Sequence, residues 1–593
     1  MPTLEDTDEA VGGWVSPAGN RRDFTVLVER SALRFGERSV CSSSGRRWAG
    51  GSRLCEMSRL PFSKPTSLLV AGVATATAAA LAVSLAPGDP EPVRAAPVAA
   101  TQTIALQSSG DLRKDLDTIL ADPALKGAKV GVVVRSYAGG KPLYTRNGGA
   151  PLIPASNQKL ATTAAAFGIL GPRYTFRTNV VTRAARKGAT LRGDLVLKGT
   201  GDPTLQAKDY DRLAAQLRAK GVRKVTGRLV ADDTWFDARR WPSGWDPSDA
   251  PFAYAAQISA LTVSPDADFN AGSIAVQVSP RAAGTPAAVR TVPATGHVKI
   301  VNRATTGAPG SASTISVLRK PGTNVIDVTG SQPVGGGTRT SLASVHEPTF
   351  YAADVFRRAL RARGIAVTGK TVRGAAPRGA RTLVSRKSIP LAKLAVPYMK
   401  LSNNTIAEIL VKAMGRKISG KGTWAAGLPA VRSYVSKLGV NTSRLTFADG
   451  SGLGRGNKLT ADQLINLLRG VRTKPWYRTY YDSLPIAGKP EPWVGGTLRT
   501  RMAGTAAEGN AHAKTGTLTG ATALSGYVKG PDGVPVVYSI LFNAYPGSIT
   551  AVRGLQDKIV VRLAAGSSPQ RLTVRSYPNQ RVPELECSWT ATC

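Results

Sequence analysis

The spacing of apolar positions along the chain changes several times, and each change predicts a different kind of structure. Over 68–85 apolar and small residues run almost without interruption. Arg59 and Lys64 precede the run, and a Pro/Ala-rich stretch over 87–97, containing Ala95-Ala96, follows it. Basic, then apolar, then small is the layout of a secretory signal. Such a signal sits near an N-terminus, so Met57 is the expected start, and 1–56 is an unpatterned polar extension that need not be translated. The rival reading keeps the segment as a single-span anchor, since about 18 apolar residues just reach across a bilayer.

From 105 onward the pattern is that of a mixed α/β protein. Residues 111–120 read as a short amphipathic helix. Val130-Gly131-Val132-Val133-Val134 reads as a buried strand, with Leu143-Tyr144 opening its hairpin partner. An Ala- and Leu-rich run over 160–170 reads as a helix that Gly171-Pro172 stops. From 178 to 385 short alternating segments separated by Gly and Pro dominate, among them Leu195-Val196-Leu197, Leu229-Val230-Ala231, Ile274-Ala275-Val276-Gln277-Val278 and Val325-Ile326-Asp327-Val328. This is mainly β material, one or two inserted domains, with one helix over 350–363.

Helical patterns return from 391 and cover 405–414, 425–438 and 460–472. Strands follow from His512, over 524–528 and over 536–542. The turn Gly530-Pro531-Asp532-Gly533 makes the last two an antiparallel hairpin. Ser548 caps a final helix that carries Ile549, Val552, Leu555, Ile559 and Leu563 along one side. The remainder, from 566, looks loose. The expected organisation is therefore an export segment with its linker (57–100), a first catalytic part (105–177), an insertion (178–385), a second catalytic part (386–567) and a tail (568–593).

Composition narrows the choice of partners. At 593 residues the chain exceeds one ordinary core. Its net charge of +40 points to nucleic acid, a membrane surface or an anionic cell-wall polymer. Zinc-finger spacing and basic heptad helices are missing, and export argues against nucleic acid. The four cysteines, Cys41, Cys55, Cys587 and Cys593, flank a body free of thiols. Cys587 and Cys593 could pair in an oxidising compartment. His297, His346 and His512 are far apart, and nothing has metal-ligand spacing. No cofactor is expected.

Three short motifs carry the chemistry. In Ser156-Asn157-Gln158-Lys159 the serine and lysine lie one helical turn apart. Ser402-Asn403-Asn404 precedes a helix, and Lys514-Thr515-Gly516 lies on a strand. Singly they read as a helix cap, a polar loop and a strand ending at a glycine. In this order they are the trio of penicillin-binding proteins and class A β-lactamases. Ser156 is expected to attack a carbonyl and become acylated, with Lys159 placed to take its proton. Ser402 can relay a proton to the leaving amine. Lys514 serves as a second cation that depresses the pKa of Lys159. Asn404 offers a donor and an acceptor to a substrate amide. Lys514 and Thr515 can bind a terminal carboxylate, and Gly516 leaves room for substrate along the strand edge. The N–H groups of Ser156 and Thr517 would form the oxyanion hole.

With these motifs the chain resembles the class C low-molecular-mass penicillin-binding proteins, the D-alanyl-D-alanine carboxypeptidases and endopeptidases of penicillin-binding protein 4 type. The resemblance covers about 105–567. It extends to Gly199-Thr200-Gly201-Asp202-Pro203-Thr204-Leu205, to Asp232-Asp233-Thr234-Trp235-Phe236 and to the glycine-rich loop Asp449-Gly450-Ser451-Gly452-Leu453-Gly454-Arg455. The long interval between the first two motifs is the mark of that family, whose penicillin-binding domain two further domains interrupt. The resemblance implies an α/β (α+β) transpeptidase-like serine acyltransferase domain with inserted, mainly β domains. Its implied substrates are peptidoglycan stem peptides, its implied covalent inhibitors β-lactams, and its implied location extracytoplasmic, at the cell wall or membrane. The family lacks the catalytic glutamate of class A β-lactamases, which argues against β-lactam hydrolysis. Members that read the zwitterionic end of diaminopimelate use an acid from the insertion and an Arg from the glycine-rich loop. Here the matching residues are Asp249 and Arg455, with Tyr254 as a wall and Ser451 beside the substrate. Two rivals remain: a Ser–His hydrolase using His512, and a non-hydrolytic penicillin sensor or cell-wall scaffold.

Overall fold

The computed structural model describes residues 101–106, 111–566 and 570–575. The run at 68–85 and all four cysteines lie outside the described residues, and with them the export and disulfide expectations. Among the described residues no helix is long and apolar enough to cross a membrane.

The valine run forms the strand Lys129–Ser136, where Val132, Val133 and Val134 are fully buried, so both of its faces are covered. It belongs to a five-stranded antiparallel sheet in the order His512–Leu518, Ala521–Lys529, Pro535–Asn543, Lys129–Ser136, Pro142–Arg146. Alternation sends successive side chains to opposite faces. Val130, Val132 and Val134 join Tyr538, Ile540 and Phe542 under the helices Leu112–Leu120 and Ile549–Ala565. Val133 joins Ala523, Val537 and Leu541 on the other face, against the helices Gln158–Ile169, Asn404–Ser419, Trp424–Ser436 and Ala461–Gly470.

Helix ends follow local chemistry. The Asp111 carboxylate accepts from the Arg113 N–H at 2.8 Å, and Asn403 caps Asn404–Ser419 by accepting from the Ile406 N–H at 3.0 Å. Thr460 and Gln463 form a reciprocal capping box. The buried pair Arg562–Asp115, at 2.6 Å, ties the last long helix to the first. Removing one partner of such a pair costs about 3 kcal/mol, because the other charge stays buried.

The insertion has its own core. A second five-stranded sheet runs Thr371–Arg373, Leu229–Asp232, Leu195–Gly199, Arg177–Thr182, Arg381–Lys387. Its entering and leaving strands, Arg177–Thr182 and Arg381–Lys387, are antiparallel neighbours. Of the three small sheets built from Ser273–Ser279 to Arg339–Ser344, two contribute to the same apolar cluster. Two helices pack on it, Pro348–Ala362 and Ala207–Ala219, where the sequence reading expects only one. Tyr210, Leu213, Ala214 and Leu217 carry the overlooked helical spacing and are all buried. Two further corrections follow. A short helix, Tyr477–Asp482, packs on the helix Gln158–Ile169, with Tyr480 Oη donating to the Leu160 carbonyl at 3.2 Å. The segment after 566 contains a strand, Gln570–Arg575, paired antiparallel with Thr101–Leu106.

Candidate active site

Ser156 lies in a single 3₁₀ turn, Ala155–Asn157, directly before the helix Gln158–Ile169. Ala155 holds a left-handed φ of 45°, and Ser156 is 7 % exposed. Lys159 is fully buried. Its Nζ makes three short contacts, to Ser156 Oγ (2.7 Å), Asn404 Oδ1 (2.7 Å) and the Ser451 carbonyl (2.8 Å). The amine and hydroxyl are thus joined directly, as proton transfer requires.

Ser402 sits between two helices with φ 59°, and the buried Lys514 Nζ donates to its Oγ at 2.8 Å. The strand that carries Lys514 lies against the Ser156 turn, because the Asn157 amide donates to the Lys514 carbonyl at 3.0 Å. The fit requires a glycine at 516: a Cβ there would stand 2.7 Å from the Pro154 carbonyl oxygen and 3.0 Å from the Ser156 nitrogen. Thr515 Oγ1 is 2.7 Å from Thr497 Oγ1. Thr517 Oγ1 accepts from the Arg553 guanidinium at 2.7 Å.

The insertion reaches the same place. Asn404 donates to the Tyr254 carbonyl at 3.0 Å, and Tyr254 Oη donates to Asp249 at 2.8 Å. Arg455 is exposed, donates to the Thr519 carbonyl at 2.8 Å and acts electrostatically on Asp249. Burial raises the Asp249 carboxyl, while the Tyr254 hydrogen bond and the Arg455 charge pull it back. A small apolar cluster of Ala155, Trp245, Leu453 and Leu518, with Tyr254 against it, joins the serine turn, the insertion, the glycine-rich loop and the Lys514 strand.

One expected residue has different surroundings from those read in the sequence. Ser451, placed by that reading at the substrate, is fully buried. Its hydroxyl accepts from the Leu453 N–H (3.2 Å), while its carbonyl faces Lys159. His512 stacks on Tyr481 with ring centroids 4.3 Å apart. Burial and the charge of Lys400 push it down to about 4, so it is neutral at physiological pH. The neighbour at hydrogen-bond distance from Ser156 Oγ is Lys159, which leaves the Ser–His rival without support. Sequence reasoning missed Arg553, which had no local signal, and Glu408, which had one. Glu408 stands alone in the apolar run Ile406-Ala407-Glu408-Ile409-Leu410-Val411. Among the described residues no cluster of His, Cys, Asp and Glu could hold a metal ion.

The model of the D-Ala-D-Ala carboxypeptidase 3 (S13) family matches residues 112–565. A D-alanyl-D-alanine carboxypeptidase of an Actinomadura species is 48 % identical over 491 residues, covering 82 % of this chain and 90 % of that one. The D-alanyl-D-alanine carboxypeptidase DacB of Haemophilus influenzae is 26 % identical over 436 residues, covering 71 % of this chain and 86 % of that one. The crystal structure of penicillin binding protein 4 from the same organism shares the fold, with a TM-score of 0.65 and 24 % identity over 76 % of this chain and 98 % of that one.

Proposed function

The chain belongs to the D-Ala-D-Ala carboxypeptidase 3 (S13) family, and from that premise we propose that Ser156 is its acyl acceptor, Lys159 the base and Ser402 the proton relay. The protein is a serine-type D-alanyl-D-alanine carboxypeptidase that takes peptidoglycan peptides as substrates and acts outside the cytoplasm. The observation that carries the assignment of roles is the 2.7 Å contact between Ser156 Oγ and Lys159 Nζ. Next to it stands the second pair, Ser402 Oγ and Lys514 Nζ, at 2.8 Å.

The reaction follows from these contacts. As the general base, Lys159 takes the Ser156 proton while Oγ bonds to the carbonyl carbon of the penultimate D-Ala. The N–H groups of Ser156 and Thr517 meet the developing oxyanion. The C–N bond breaks as a proton passes through Ser402 to the leaving amine, and D-Ala departs. Water then attacks the acyl-enzyme, gives its proton to the base, and Ser156 Oγ leaves as the restored hydroxyl. β-Lactams enter by the same attack, and their opened ring remains tethered on the ester. The Thr515 and Thr517 hydroxyls, with Arg553 bonded to Thr517, support a subsite for the substrate carboxylate here.

We assign the side-chain subsite to Asp249, Arg455 and Tyr254. A zwitterionic side-chain end, such as that of diaminopimelate, needs one carboxylate and one guanidinium, and these two act on each other here. Asp249→Ala and Arg455→Ala are expected to reduce kcat/KM on zwitterion-ended peptides by roughly tenfold, the worth of one charge-assisted bond, with β-lactam acylation nearly unchanged. Equal losses on both substrates would show that these residues shape the site generally.

The net charge of +40 supports standing contact with anionic wall polymers or an anionic membrane surface. Retention on purified cell walls is then expected to fall steeply with added salt. Salt-independent retention would refute this.

A further inference from the structure

The glycine-rich loop 449–455 is wound around two buried carboxylates. Glu408 and Asp449 are both fully buried. Glu408 accepts from the N–H groups of Gly450 (3.0 Å) and Ser451 (2.8 Å) and from the indole N–H of Trp424 (2.7 Å). Asp449 accepts from the N–H groups of Gly452 and Gly454 (both 2.6 Å), from the Asn457 amide (2.9 Å) and from the indole N–H of Trp245 (3.0 Å). Four loop N–H groups thus turn inward to carboxylate oxygens, while the carbonyls of Gly450 and Ser451 turn outward.

Those carbonyls meet the catalytic helix. The Ser451 carbonyl receives Lys159 Nζ at 2.8 Å, and the Gly450 carbonyl receives Thr162 Oγ1 at 2.6 Å. Gly452 presses on the serine turn so closely that a Cβ would stand 1.9 Å from the Ala155 carbonyl oxygen. At its other end the loop delivers Arg455. Trp245, bound to Asp449, begins the insertion segment that delivers Asp249. One loop therefore touches the base and the nucleophile's turn, carries one charge of the side-chain subsite and is bonded to the segment that carries the other.

We propose that Glu408 and Asp449 are positioning residues that make this loop a rigid bracket, with Glu408 fixing Lys159 against Ser156 and Asp449 holding the side-chain subsite in register with them. This rests on the reading of Lys159 as the base. Burial raises both carboxyls, and the Asp449 charge raises Glu408 further. The pair is thus held by its donors against a cost of desolvation. A neutral amide cannot replace either member: it has one acceptor oxygen and places an NH₂ group where N–H donors already point. The loop must then shift, and a displacement of about 1 Å at a reacting group can cost on the order of a hundredfold in rate.

The test compares Glu408→Gln and Asp449→Asn in single-turnover acylation. The substrates are benzylpenicillin and two peptides that differ only in a zwitterionic or neutral side-chain end. Glu408→Gln is expected to lower the acylation rate constant on the order of a hundredfold on all three, with the initial dissociation constant unchanged. Asp449→Asn is expected to lower the rate and also to erase the preference for the zwitterionic end. A merely structural role would lower the melting temperature and leave rate constant and preference intact in the folded fraction, which would overturn the proposal. So would losses confined to initial binding. If neither variant folds, Trp245→Phe decides, since it removes one donor from Asp449 while leaving an aromatic side chain at that place. A retained side-chain preference in that variant would overturn the proposal. Acylation that survives Ser156→Ala would instead refute the underlying assignment of the nucleophile.

Discussion

Ser156→Ala is expected to abolish covalent labelling by a fluorescent penicillin while leaving the protein folded. The hydroxyl is the group proposed to form the ester, and its partner Lys159 is fully buried. Removing the nucleophile of a serine hydrolase costs roughly a million-fold in turnover, far below any labelling threshold. The structural cost is small. Ser156 makes no side-chain capping bond at the start of its helix, so the usual penalty of about 1 kcal/mol for a lost cap does not arise. Thermal denaturation within a few degrees of wild type, together with an unmodified intact mass after penicillin treatment, is the expected pair of results. A penicillin adduct on the variant would remove Ser156 from the mechanism.

Lys159→Ala and Lys514→Ala are expected to fail in different ways. Lys159 contacts the nucleophile, and its loss is expected to slow acylation by on the order of a thousandfold, within the range for general acid–base groups. Initial binding should change little. Lys514 orients Ser402 through a 2.8 Å bond and donates to the Thr515 carbonyl at 2.9 Å, next to the proposed carboxylate site. Its loss is expected to lower the rate and to weaken the initial complex as well. Stopped-flow acylation separates the two constants. Identical profiles for both variants would count against this division of labour.

The three motifs were legible because each is a short, contiguous run of residue types, although only the Ser156–Lys159 contact is local in sequence. The sheet strands at 130–134, 512–517, 524–528 and 536–542 were legible from their apolar runs. Their spatial order was not, because pairing Lys129–Ser136 with Pro535–Asn543 is a tertiary decision. Helix Ala207–Ala219 had a readable period, and it went unread because Gly- and Pro-rich β segments surround it. Ser451 shows a different limit. Its position in the loop was evident, but which of its polar atoms faces the site depends on Glu408, a residue on another element. Arg553 reaches Thr517 from a helix beyond the last strand, a contact that sequence spacing does not encode.

The adjacency of the strands Arg177–Thr182 and Arg381–Lys387 bears on how the chain folds as it emerges. The central sheet joins a hairpin near the front of the chain to three strands near its end, and a contact of such sequence separation forms slowly. Once the insertion has closed on itself, its entry and exit points stand side by side, and the stretch between them no longer counts as flexible chain. The remaining closure spans a much shorter effective loop, with a correspondingly smaller loss of entropy. An insertion that closes before the rest would therefore serve as an internal clamp, bringing the serine-bearing segment close to the helices that follow it before the Lys514 strand completes the sheet.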